Sequence, residues 1–242
     1  MIGAACQVRT EITVDVREAG GGTVTVGVGL DDDAVSRVTD PSELVRSNDL
    51  EEAGWTVTGP VRQGDGFTWF RATKPFETPE EATAIFGEIS GENGPFQGFE
   101  LVRDRSFART DLRFEGSVDF RGGLESFSDS ELAQSLEGEP LGEPVERIEQ
   151  RIGATLDRVF QFRVAVRMPG DVESNAPGGP TNGAVWEPKL SEEGVIHLEA
   201  ATRVWRRGSI IAIVVAGAAL LILLAWLLIR LADRTRRRRA AT

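Results

Sequence analysis

The chain has 242 residues but no tyrosine, one histidine and one cysteine. A single cysteine, Cys6, excludes an intrachain disulfide, and a single histidine, His197, excludes a multi-histidine metal centre. Lysine is also scarce: two of the 27 basic residues are lysine and the rest arginine. There is no P-loop, no nucleophile elbow, no zinc-ligand spacing and no complete dinucleotide fingerprint. Gly27-x-Gly29 falls inside a strand pattern and lacks the later glycine. No catalytic set, cofactor or metal is therefore expected, and the chain reads as a non-enzyme. Basic surface is missing as well. Residues 1–205 hold 19 basic and 37 acidic groups, a net charge of −18. Nucleic acid is thereby excluded as a partner, because neutralising phosphate needs a basic face. An apolar content of 40% and a charged content of 27% are those of a folded chain.

Charge of either sign is absent from residues 210–229, which read IIAIVVAGAALLILLAWLLI. At about 1.5 Å per residue such a helix covers roughly 30 Å, the thickness of the hydrocarbon core. Six arginines follow within ten residues (Arg230, Arg234 and Arg236 to Arg239). Positive charge stays on the cytoplasmic side. The expected topology is thus an ectodomain outside, a juxtamembrane and transmembrane helix over 206–229, and a cytoplasmic arginine-rich tail over 230–242. Trp205, Arg206 and Arg207 suit the headgroup level, leaving the ectodomain almost no stalk.

An exported domain needs a signal. Residues 1–6, MIGAAC, read as the end of a signal peptide and a lipobox, with the charged and apolar parts of the signal lying before Met1. Ala4 and Ala5 are the small residues a lipobox places before its cysteine, whereas Gly3 stands where leucine is usual. Cys6 is the candidate lipid acceptor; its alternative is a lone core cysteine. One acyl chain alone gives only reversible membrane binding.

Residues 7–205 alternate hairpin signals with short helices. Val8, Thr10, Ile12, Val14 and Val16 line one face of a strand and Arg9, Glu11, Thr13 and Asp15 the other. Three glycines in 18–22 make a turn into a second strand over 23–30, which three aspartates, 31–33, close as a solvated turn. Residues 41–52 and 78–89 are predicted helices, the second capped by Thr78 and opened by Pro79. Strands are predicted over 55–62, 67–76, 98–104 and 109–120. Helices follow over 129–137 and 143–156, then a strand over 159–168, a mobile polar loop over 169–183, and strands over 184–190 and 194–204. The expected class is α+β: about eight strands, mostly antiparallel and able to share one sheet system, with two or three helices on one face, followed by one transmembrane helix.

The late motifs are FQFRVAVRMPGDVESNAP, GAVWEP and GVIHLEAATRVW. With a lipobox-like cysteine opening directly into a strand hairpin, they resemble the LppM-type domain of actinobacterial membrane-anchored lipoproteins. The matching residues are Met168, Pro169, Gly170, Val172, Asn175 and Trp186, and the likeness extends over nearly the whole chain. It implies a cell-envelope protein with an α+β ectodomain like those of lipid-binding modules, and it carries over no ligand residue. Read physically, these motif residues are structural: Pro169 ends a strand by withholding a donor, Gly170 permits the turn, Asn175 steadies the following turn and Trp186 is core.

The function expected is a non-catalytic binding module for a membrane lipid or glycolipid. The alternative is a protein-interaction or scaffold subunit of an envelope complex, its acidic face meeting a basic partner. Phe67, Trp69, Phe86, Phe114 and Phe120 are candidates for an apolar lining and equally for ordinary core. His197 with Glu199 two residues on resembles a base oriented by a carboxylate; a surface strand pair is the commoner meaning.

Overall fold

A computed structural model describes residues 6–37, 47–90, 94–120, 155–192, 194–205, 215, 217–224 and 226. The helices expected over 129–137 and 143–156 lie almost wholly outside these residues. So do residues 1–5, the arginine-rich tail, and the ends of the apolar run.

The class is α+β, with ten strands in two sheets among the described residues. The first sheet holds β1 (Val8–Val16), β2 (Gly22–Leu30), β3 (Thr56–Arg62), β4 (Thr68–Phe76), β7 (Phe160–Arg167) and β9 (Gly183–Trp186), in the order β3-β4-β2-β1-β7-β9. The second holds β5 (Phe96–Arg105), β6 (Arg109–Asp119), β8 (Val172–Ser174) and β10 (Val195–Trp205), in the order β5-β6-β10-β8. Among the described residues, four helices accompany the sheets, α1 (Asp32–Arg37), α2 (Ser47–Glu52), α3 (Pro79–Ser90) and α4 (Leu156–Val159), and residues 217–224 of the apolar run are helical as well. The first and last strands thus belong to different sheets, not to one.

Alternation along β1 sets the first sheet. Paired residues share a face, so Ile12, Val14, Val26, Val24, Val164 and Val166 form one apolar row set. Arg9, Glu11, Thr13 and Asp15 point to the opposite face beside Gln161, Arg163, Ala165 and Arg167. β1 and β7 run parallel, in register from Val8–Phe160 to Asp15–Arg167. That pairing departs from the hairpin-by-hairpin expectation. It joins segments 152 residues apart, and two of its cross-strand pairs place unlike charges together: Arg163 lies 3.8 Å from Glu11, and Arg167 3.4 Å from Asp15.

The core belongs to the unit formed by Met1–Asp104 and Asp111–Arg203. It joins Val14, Val24 and Val166 of the first sheet to Phe99, Leu112, Phe114 and Leu198 of the second. Helix α3 adds Ala82, Ile85 and Phe86. Its start follows the capping logic of its sequence. Thr78 Oγ1 accepts the Glu81 N–H, and the Glu81 carboxylate accepts the N–H of Glu77 at 2.7 Å, so two otherwise orphaned donors are satisfied.

Three local expectations need correction. Asp31 does not close a plain turn: its carboxylate accepts the N–H groups of Ala34, at 2.7 Å, and Gln7, capping α1 while pinning the chain entering β1. The stretch 169–183 is not a featureless loop, since it contains β8 and its backbone is tied by Val172 N–H to Thr181 O and Met168 N–H to Asn182 O. The strand expected over 184–190 stops at Trp186, because Pro188 has no N–H to continue a ladder. Pro60 sits on β3, an edge strand, where a missing donor is tolerated.

Candidate functional site

The outward face of the first sheet carries an arginine–aromatic–glycine arrangement. Gly27 and Gly29 leave a bare strip on β2, and Trp69 of β4 lies across it: a Cβ on Gly29 would come within 2.9 Å of the indole ring. The Arg71 guanidinium stacks 4.5 Å from the Trp69 ring, and that of Arg9 4.3 Å from Phe67. Asp65, in the β3–β4 turn, accepts the Phe67 N–H at 3.1 Å and the Trp69 indole N–H at 3.1 Å, with Arg9 3.7 Å away. Partial desolvation works to raise this carboxyl, but those donors and the arginine outweigh it and hold Asp65 below the usual aspartate range.

Arg9 links this arrangement to a groove of about 380 Å³ lined by Arg9, Asp157, Phe160, Gln161, Phe162, Arg163, Glu187, Pro188 and Lys189. Arg9 Nε and Nη2 both donate to Gln161 Oε1, at 3.0 and 2.8 Å, so its guanidinium is fixed. Arg163 Nε is buried, with no hydrogen-bond partner among the described residues and the Glu11 carboxylate 3.8 Å away. One of the two carboxylates is already engaged, since Asp157 accepts the Ser191 N–H at 3.0 Å. Three cations thus line an open, polar concavity on a domain whose summed charge is strongly negative. Groups of this kind bind anionic or polyhydroxyl headgroups by charge-assisted hydrogen bonds. The sequence reading did not single this groove out.

Among the described residues, no one cleft is lined by all five apolar candidates. Phe67 and Trp69 are buried under arginines on the polar face. Phe86 and Phe114 meet in the core with ring centres 5.8 Å apart, and Phe120 packs 4.9 Å from Phe162. The void beside Ile12, Phe86, Ile89, Phe96 and Phe99 is only about 10 Å³, room for one water and no acyl chain.

His197 and Glu199 project from the exposed face of β10, and among the described residues no hydrogen bond or ion pair joins their side chains. Beside them, Glu115, Glu173 and Glu199 rim a second groove of about 350 Å³ together with Arg113. Among the described residues no group of three or more acidic, histidine or cysteine side chains is placed to hold a metal. Cys6 is half-buried and packs against the small cluster of Leu30, Ala34 and Phe70.

Two of the motif residues that carried the resemblance, Asn175 and Trp186, meet in one clamp. Asn175 Oδ1 accepts the Trp186 indole N–H at 2.9 Å and the Glu199 N–H at 3.1 Å, while its Nδ2 donates to His197 O at 2.8 Å. One amide thereby ties β9 of the first sheet to β10 of the second. Thr202 Oγ1 donates to both Pro169 O and Asp171 O, fixing the Pro169–Gly170 turn. Asn175→Ala removes three bonds at once and leaves the buried indole N–H without its acceptor. About 2 kcal/mol of stability should be lost, read as a lower urea midpoint at unchanged slope; a loss under about 0.5 kcal/mol would show that water replaces the amide.

No family model matches the chain, and no curated protein matches it. Among solved structures, the NMR structure of the folded domain of LppM from Mycobacterium tuberculosis matches with 14% identity and a TM-score of 0.42, covering 84% of this chain and 93% of that one. It is the domain type that the sequence motifs resemble.

Proposed function

We propose that this is a membrane-anchored extracytoplasmic envelope protein whose α+β domain is a non-catalytic module binding the polar headgroup of a lipid or glycolipid. The observation carrying this reading is the contrast between two cavities. Among the described residues, the void beside Ile12, Phe86, Ile89, Phe96 and Phe99 offers about 10 Å³, whereas the groove around Arg9, Gln161, Arg163 and Lys189 offers about 380 Å³. A ligand is therefore held by its headgroup, and its chains stay in the bilayer. Anchoring is supported by residues 217–224, which are helical with Leu220, Leu221, Ile222, Leu223 and Leu224 all exposed. A helix apolar on every side with no protein over it calls for lipid. No helix among the described residues is long and apolar enough to cross a membrane; the proposed span over 210–229 takes in residues beyond them.

The test compares the full chain with an Arg163→Glu, Lys189→Glu variant, both purified in nanodiscs made from envelope lipid extract. Retained headgroups are then identified by mass analysis. Losing two charge-assisted bonds at about 1.5 kcal/mol or more each should reduce enrichment of the bound lipid at least tenfold. Equal enrichment in both proteins would reject the groove. The scaffold reading draws its support from the acidic groove of Glu115, Glu173 and Glu199, and crosslinking in cells followed by pull-down separates it from lipid binding.

A further inference from the structure

Arg105–Thr110 and Val204–Thr242 form a unit of their own. The first segment is the tip of the β5–β6 hairpin. Ser106 N–H donates to Arg109 O at 2.9 Å, and Ser106 Oγ donates to the same oxygen at 3.2 Å. This closes a four-residue turn with Phe107 and Ala108 at its centre. Those positions ordinarily take Gly, Asn or Asp, which serve the turn. Phe107 is 67% exposed. Trp205, the last residue of β10, is 56% exposed.

The two lie at corresponding strand ends. β6 and β10 are hydrogen-bonded neighbours, and Arg203 Nε donates to Asp111 Oδ1 at 2.7 Å, so the start of β6 is beside the end of β10. From Trp205 the chain reaches the apolar run at Ile210 in five residue steps, at most about 18 Å when fully extended. Charge singles out the same place. Residues 103–109 hold three arginines and one aspartate, and residues 203–207 hold three arginines, in a domain of net charge −18. A hydrogen-bonded turn with an aromatic apex amid cations, at the strand end from which the chain runs on to an apolar span, has the chemistry of the headgroup layer: ring in the acyl boundary, guanidinium groups on the phosphates.

We propose that the β5–β6 hairpin tip, with Phe107 at its apex and Arg105 beside it, is a membrane-docking element that inserts into the anionic headgroup layer of the bilayer holding residues 210–229. This rests on the anchored reading given above. The tip and the span together make two points of attachment.

The experiment uses the full chain in a Cys6→Ser background, reconstituted in phosphatidylcholine–phosphatidylglycerol vesicles. Three single-cysteine variants carry an environment-sensitive fluorophore: Phe107→Cys at the tip, Gly64→Cys at the tip of the β3–β4 hairpin, and Leu221→Cys in the apolar run. The first and last should give blue-shifted emission that lipid-borne quenchers suppress. Gly64→Cys should keep aqueous emission that iodide suppresses. Aqueous emission at 107 with lipid quenching at 221 would overturn the docking element and leave the anchor standing. Aqueous emission at both would overturn the anchor and the docking element with it.

Discussion

Phe114→Ala should lower the unfolding free energy of the α+β domain by about 4 kcal/mol. Phe114 has no exposed surface. Its ring lies 5.8 Å from Phe86, 5.6 Å from Phe99 and 6.3 Å from Trp186. These neighbours come from α3, β5 and β9, so the ring is the meeting point of both sheets and the helix. Truncating it removes the transfer contribution and opens a void that three backbone-fixed elements cannot close, which is why the cost exceeds that of losing exposed aromatic surface. A domain of this kind has about 5–15 kcal/mol in hand, so the variant stays folded in the cold and melts early. The measurement is a urea titration followed by tryptophan emission, with Phe107→Ala as the control. That exposed ring should change stability by less than about 0.5 kcal/mol. Equal losses at 114 and 107 would mean that the two sheets do not share the core described.

What the sequence made legible was local. The β1–β2 and β3–β4 hairpins follow from alternation and glycine-bearing turns, β5 and β6 from alternation alone, and α3 from Thr78, Pro79 and Glu81, because each of these is decided by neighbours a few residues apart. The parallel β1–β7 pair was not legible: alternation tells which side chains share a face, never which strand lies alongside. Nor could alternation divide ten strands between two sheets. The same blindness hid the groove. Arg9, Arg163 and Lys189 are scattered over 180 positions and are brought together by that pairing and by the chain leaving β9. Asn175 suits a local turn, yet its amide spans two sheets, a role defined by Trp186, His197 and Glu199, which are distant from it in sequence. Nothing in the sequence pattern sets Phe107 apart; its exposure at a turn apex does.

Leu220→Arg combined with Leu223→Arg should move the chain from the membrane fraction to the soluble one. Both leucines are helical and exposed, and three residues apart they share one face. They sit at and just past the middle of residues 210–229, too deep for both guanidinium groups to reach one headgroup layer without thinning the bilayer. Each arginine near the centre costs about 2.5–3.5 kcal/mol on the insertion scale. Together they remove about 6 kcal/mol, a shift of roughly 10⁴ in partitioning. Leu220→Ala with Leu223→Ala keeps the run apolar and should leave the chain in the membrane. Fractionation and alkaline extraction of cells making the full chain provide the readout, run with and without Cys6→Ser. An acyl group on Cys6 would hold back part of the arginine variant, because a single chain binds only marginally, and Cys6→Ser would release that remainder. If the arginine variant lacking Cys6 resists alkaline extraction as the unaltered protein does, residues 210–229 are not the anchor.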